Sequence, residues 1–184
     1  MRVFAGDPDI RRGPRVSPRV VLIGPMGAGK TTVARLLAEQ WGVDVRDTDE
    51  DVELTAGKPI SEIFVDDGEG HFRDLERAAV VTALENHDGV LALGGGAVLD
   101  EGTRSLLAAH RVVFLDVGLS DAVKRVGMGA GRPLLVGNVR ARIKALLDER
   151  KPIYRSVASV TVDTDGKTAA EVAAEILAAL EAPA

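Results

Sequence analysis

One short segment of this sequence is built to hold phosphate. Gly24-Pro25-Met26-Gly27-Ala28-Gly29-Lys30-Thr31 fits the pattern G-x-x-x-x-G-K-[ST]. It follows the apolar run Val20–Ile23 and leads into a helical pattern from Lys30 to Trp41. In that strand–loop–helix setting backbone N–H groups turn inward around phosphate oxygens, and the positive end of the helix faces the same anion. Gly27, Ala28, Gly29, Lys30, Thr31 and Thr32 are therefore the candidate nucleotide-binding residues. The Lys30 ammonium would reach the outer phosphates of ATP, and the Thr31 hydroxyl would ligate Mg²⁺.

Further constellations could complete a phosphoryl-transfer site. Asp47-Thr48-Asp49 falls at the carboxyl end of an expected second strand, where open α/β sheets bind ligands. Asp47 could hold the Mg²⁺ hydration shell, and Asp49 could take the proton of an acceptor hydroxyl. Equally, either could simply cap the next helix. The third strand ends in Gly94-Gly95-Gly96 and offers no metal-binding aspartate, which favours Asp47 for that role. Arg73 and Glu76 stand three apart, so they can pair on one helical face and fix a guanidinium for a carboxylate-bearing substrate. The alternative is a solvated ion pair. Arg150 and Arg155 are both candidate anion binders at the expected end of a helix, where cations also serve as ordinary dipole partners. Their spacing does not choose between them. The stretch 127–137, with four glycines and Arg132, suits a mobile lid whose arginine closes over the transferring group.

These residues must be positioned by alternating elements. Strands are expected at 19–23, 43–47, 90–93, 112–116 and 159–162. Helices are expected at 30–41, 50–56, 60–64, 69–86, 102–109, 120–126 (with Ser120 as cap), 139–150 and 168–181. Such alternation predicts an α/β fold of parallel βαβ units with right-handed crossovers. The length of 184 residues suits one domain, expected over 19–181, after a flexible tail at 1–18. Arg11-Arg12 lacks the apolar run that a twin-arginine signal requires. A net charge of -5 argues against a nucleic-acid surface, and no apolar stretch is long enough for a bilayer. The sequence contains no cysteine, which excludes disulfides, thiolate metal sites and a cysteine nucleophile and fits a reducing cytoplasm.

In order, Gly24–Thr32, Asp47-Thr48-Asp49, Phe72-Arg73-x-x-Glu76, Gly94-Gly95-Gly96, Arg132-Pro133-Leu134-Leu135 and Arg150-x-Pro152-x-Tyr154 resemble the shikimate kinases over about residues 18–165. The resemblance implies a three-layer P-loop kinase fold, nucleoside-monophosphate-kinase-like, with a five-stranded parallel sheet in the order 2-3-1-4-5. It implies a monomer that phosphorylates the 3-hydroxyl of shikimate from Mg²⁺-ATP, in aromatic amino-acid biosynthesis through chorismate. By the same resemblance Asp49 and Gly95 bind the shikimate hydroxyls, and Arg73 and Arg150 bind its carboxylate. Thr31 and Asp47 serve the metal. Lys30, Asp49 and Arg132 are catalytic, while Arg125 and Lys167 approach adenine from opposite sides. Two rivals are a gluconate kinase of the same fold and a regulatory module that binds ATP without transferring a phosphoryl group.

Overall fold

The computed structural model describes residues 16–127 and 138–182. Its centre is a five-stranded parallel sheet in the order β2-β3-β1-β4-β5. The strands are β1 (Val20–Ile23), β2 (Val45–Asp47), β3 (Val90–Ala92), β4 (Val112–Asp116) and β5 (Val160–Asp163). β1, β3 and the body of β4 are buried on both faces. This is why they read as unbroken apolar runs instead of alternating patterns.

The helices are α1 (Lys30–Trp41), α2 (Thr48–Ala56), α3 (Ile60–Asp66), α4 (Gly68–Asn86), α5 (Glu101–Leu107), α6 (Leu119–Gly127), α7 (Val139–Val157) and α8 (Ala169–Glu181). One apolar cluster joins Leu22, Ala92 and Leu115 to Val33 and Leu37 of α1 and Ile176 of α8. A second joins Val21, Leu91 and Phe114 to Val80 of α4 and Tyr154 of α7. The sheet is thus covered on both sides, the three-layer arrangement expected of α/β alternation. A third, smaller cluster of Val52, Ile63 and Phe72 holds α2, α3 and α4 together beside the sheet.

Two expected boundaries are corrected. α7 does not stop at Arg150 but runs through Pro152 to Val157. A proline inside a helix removes one backbone donor, but here tertiary contacts hold the turn beyond it. The Tyr154 ring is fully buried and stacks on Phe114 at 5.0 Å between centroids. Lys151 and Arg155 both pair with Asp116 at the end of β4. Ser120 is not a cap, because α6 already begins at Leu119 and the Gly118 carbonyl accepts from Ala122 N–H. Near the N-terminus Ser17 Oγ lies 3.2 Å from His110 Nδ1. Residues 1–15 and most of the expected lid lie outside the described residues.

Candidate active site

The phosphate loop enters α1 through Gly29, which takes the left-handed conformation (φ 89°, ψ 21°). No side chain caps α1 and no acidic residue occupies its first turn. The opening amides are therefore left to an anion. Lys30 folds over the loop and donates to the carbonyls of Gly24 and Pro25 at 2.6 and 3.0 Å.

The Asp47 carboxylate does two things at once. Its Oδ1 accepts from Asp49 N–H at 2.9 Å, capping α2, and its Oδ2 accepts from Thr31 Oγ1 at 3.0 Å. Capping and a place on the metal side are thus compatible. A hydroxyl and a carboxylate in contact fit Mg²⁺, which takes few protein oxygens and keeps its waters and substrate phosphates. Among the described residues no cluster of His, Cys, Asp or Glu forms a separate metal cage.

Beyond β3 the glycines are required by what approaches them. Gly94 N–H donates to the buried Thr48 Oγ1 at 3.0 Å, tying the end of β3 to the start of α2. A methyl group at Gly94 would lie 2.5 Å from Asp49 Oδ1 and 2.9 Å from Glu76 Oε1. One at Gly96 would overlap the Arg73 guanidinium. Gly95 lies against the phosphate loop: a methyl there would be 3.5 Å from Met26 N. Its carbonyl accepts the Tyr154 hydroxyl.

Arg73 and Arg150 converge on Glu76. Arg73 Nη1 donates to Glu76 Oε2 at 2.7 Å, and Nη2 reaches the exposed Glu69 at 3.2 Å. Burial works against the Arg73 charge, but these carboxylates outweigh it and hold its pKa above the ordinary guanidinium value. Burial pushes the Glu76 carboxyl up, against the hydrogen bond from Arg73 and the field of Arg150. Burial likewise drives the Tyr154 phenol to about 12, against the pull of Arg150. Its hydroxyl therefore stays protonated and donates to Gly95. Arg150 is buried in mid-helix, and its Nε lacks a hydrogen-bond partner. A buried donor left unpaired is costly. Arg155 is exposed and paired with Asp116, so the dipole alternative applies to it and not to Arg150.

On the other flank Arg125 spans to the phosphate loop, donating to Gly27 O at 3.2 Å, and to the Thr164 carbonyl at 2.9 Å. The Lys167 ammonium is turned toward α8 and pairs with Glu175. Arg132 lies outside the described residues. Two partners escaped the sequence reading, and a third was half read. Thr48 carried no signal. Thr164, which receives Arg125, is a lone threonine after a strand. The placement of Glu76 between two arginines depends on α7, more than seventy residues away in the chain.

A phosphate loop on a parallel sheet, a hydroxyl–carboxylate pair beside it and an arginine-lined recess at the next strand end define a P-loop phosphotransferase acting on a small acceptor. The family model for shikimate kinase matches residues 26–181, and the chain belongs to the shikimate kinase family. A shikimate kinase of Salinispora arenicola is 61% identical over 167 residues, covering 91% of this chain and 100% of that protein. The structure of shikimate kinase from Acinetobacter baumannii in complex with shikimate superposes with a TM-score of 0.85 at 36% identity, covering 90% of this chain and 93% of that one. A gluconokinase from Sinorhizobium meliloti has a TM-score of 0.58 at 22% identity, over 91% of this chain and 93% of its own, a likeness of fold alone.

Proposed function

We propose that this chain transfers the γ-phosphoryl group of ATP to the 3-hydroxyl of shikimate. The observation that carries this is the convergence of Arg73 and Arg150 on one buried carboxylate, Glu76, directly beside Asp49 and the phosphate loop. Arg73 already pairs with Glu76 and Glu69, so what is left for a ligand is the charge of buried Arg150, whose field reaches Glu76. A ligand carboxylate would neutralise it through charge-assisted bonds. Membership of the shikimate kinase family supplies the same acceptor.

In this reading Arg73 and Arg150 hold the acid. Gly95 and Asp49 receive its hydroxyls, and the atoms nearest to an added methyl group at Gly95 are phosphate-loop backbone. The bond from the acceptor oxygen to the γ-phosphorus forms as the bond from that phosphorus to the β,γ-bridging oxygen breaks. ADP leaves, and the hydroxyl proton passes to the Asp49 carboxylate. Lys30, Gly27, Ala28, Gly29, Thr31 and Thr32 orient the phosphate chain and stabilise its charge. Mg²⁺, when bound, neutralises charge across the outer phosphates, with Thr31 and Asp47 as its protein side. Arg125 and Lys167 are assigned to the adenine. Arg132 is assigned to the transferring group by its motif, with the stretch 127–137 as a lid. The same reading takes the chain to be a cytoplasmic monomer without nucleic-acid or membrane partners. The acidic net charge argues against a nucleic-acid surface, and no described helix is long and apolar enough to cross a membrane.

The test is ADP release measured with shikimate, gluconate, quinate and water as acceptors. Turnover that depends on shikimate, and is slower with gluconate, is expected from membership of the shikimate kinase family, since all three organic acceptors carry the carboxylate that the arginines would bind. Faster turnover with gluconate would overturn the acceptor assignment.

A further inference from the structure

The nucleotide flank contains a carboxylate with no part in the chemistry above. Asp121, in the first turn of α6, accepts through one oxygen from two different segments. Arg125 Nη2 donates to its Oδ2 at 3.2 Å, and Gly166 N–H, in the loop after β5, donates to the same oxygen at 3.0 Å. Arg125 is held further by Gly27 O at 3.2 Å, Thr164 Oγ1 at 3.1 Å and Thr164 O at 2.9 Å. A second stitch runs from Gly118 N–H to Asp165 Oδ1 at 2.7 Å. A side chain at Gly118 would overlap the Asp165 carboxylate.

We propose that Asp121 is a positioning residue for the nucleotide: its single carboxylate fixes both the plane of Arg125 and the loop from Thr164 to Thr168 against the phosphate loop. The inference rests on the phosphotransferase reading and deepens it. Both terminal nitrogens of Arg125 are engaged in the plane of the guanidinium. What the group then offers a flat base is its face, by stacking. Stacking is effective only if that plane is set before the base arrives, because ordering a long side chain on binding weakens affinity. A half-exposed pair four residues apart on one helix adds little to helix stability. Helix stabilisation also gives no reason for the same oxygen to accept Gly166 N–H. Joining α6 to the loop after β5 does.

The experiment is calorimetric titration of ADP, without acceptor, into the full chain and its Asp121→Ala, Asp121→Asn and Asp121→Glu variants. Shikimate titration and thermal unfolding of each variant run alongside. The expected result is ADP affinity lower by about tenfold in Asp121→Ala, the loss of charged hydrogen bonds in a preorganised site. Asp121→Asn should fall between, and Asp121→Glu should recover part of the loss. Shikimate affinity and the unfolding midpoint should stay at the parent values. If Asp121→Ala does not fold, Asp121→Asn, which keeps the volume, decides by the same criterion. ADP affinity within about twofold of the parent would overturn the proposal. So would a parallel loss of ADP affinity, shikimate affinity and thermal stability, which is the signature of a purely structural residue. Failure of the parent itself to bind ADP would instead overturn the phosphotransferase reading.

Discussion

Replacing Gly96 by alanine tests the place of Arg73 in this site. Gly96 has φ -96° and ψ -5°, a right-handed conformation open to any residue. Alanine at a compatible position stabilises a chain by about 0.4–1 kcal/mol through the unfolded state. Against this, the new methyl group would overlap the Arg73 guanidinium, with Cζ and Nη2 each only 2.8 Å away. The obstructing atoms are the far end of a long, half-buried side chain, which can swing away without displacing backbone. That retreat also strains the charge-assisted bond to buried Glu76, worth about 1.5–3 kcal/mol, so net stability should fall by up to about 2 kcal/mol, or about 4–8 °C in the unfolding midpoint. Binding should not be spared. Retreat of the guanidinium by about an ångström breaks its alignment with Glu76 and with the acceptor carboxylate, and a charge-assisted bond is worth about 1.5–3 kcal/mol. The shikimate KM should then rise by roughly 10- to 150-fold. ADP affinity should hold, because no atom of the phosphate loop appears among the nearest neighbours of that methyl group. Steady-state ADP release with varied shikimate at saturating ATP, together with ADP calorimetry, measures both quantities. An unchanged shikimate KM in a folded Gly96→Ala variant would remove Arg73 from the acceptor site.

Three other perturbations address the remaining groups. Arg150→Met keeps the packing of the side-chain stem and removes the buried charge; shikimate affinity should fall by more than about tenfold while ADP affinity stays within about twofold, as read by calorimetry. Asp47→Ala should raise the Mg²⁺ concentration needed for half-maximal turnover, and an unchanged Mg²⁺ titration would assign Asp47 to capping alone. Glu76 gives a pH signature. Burial, partly opposed by Arg73 and Arg150, raises its folded pKa above 4.5, so the folded chain binds this proton more tightly than the unfolded one. Its contribution to stability is greatest below the unfolded pKa and is lost as pH rises through the folded value. The stability of the parent relative to Glu76→Gln should therefore improve as pH is lowered from 7 toward 4.5, and a flat difference in unfolding midpoints would contradict the burial-driven shift.

Much of this architecture was legible because local and tertiary signals agree. α1 and β4 have the bounds expected from sequence, since the phosphate loop fixes where α1 starts and β4 is a continuous apolar run. The strand order came from the family resemblance, because periodicity carries no information about which strands are neighbours. α7 was misjudged because proline is read locally as a stop, whereas Tyr154 against Phe114 and the Asp116 pairs act across the fold. The same error left Arg150 and Arg155 equivalent by spacing, and only the family resemblance chose between them. Seen as neighbours at a helix end they look equivalent; on a continuous helix one faces the recess and the other faces solvent. The triple glycine was read from the sequence as space for a ligand. Two of its positions also make room for protein groups, Asp49 with Glu76 and Arg73, which sequence spacing could not reveal.

The most direct measurement is a crystal structure of this chain with ADP and shikimate bound. The expected result places the acid's carboxylate within hydrogen-bonding distance of both Arg73 and Arg150, and its 3-hydroxyl beside Asp49, facing the phosphate end of ADP. A carboxylate bound away from both arginines would contradict the assignment.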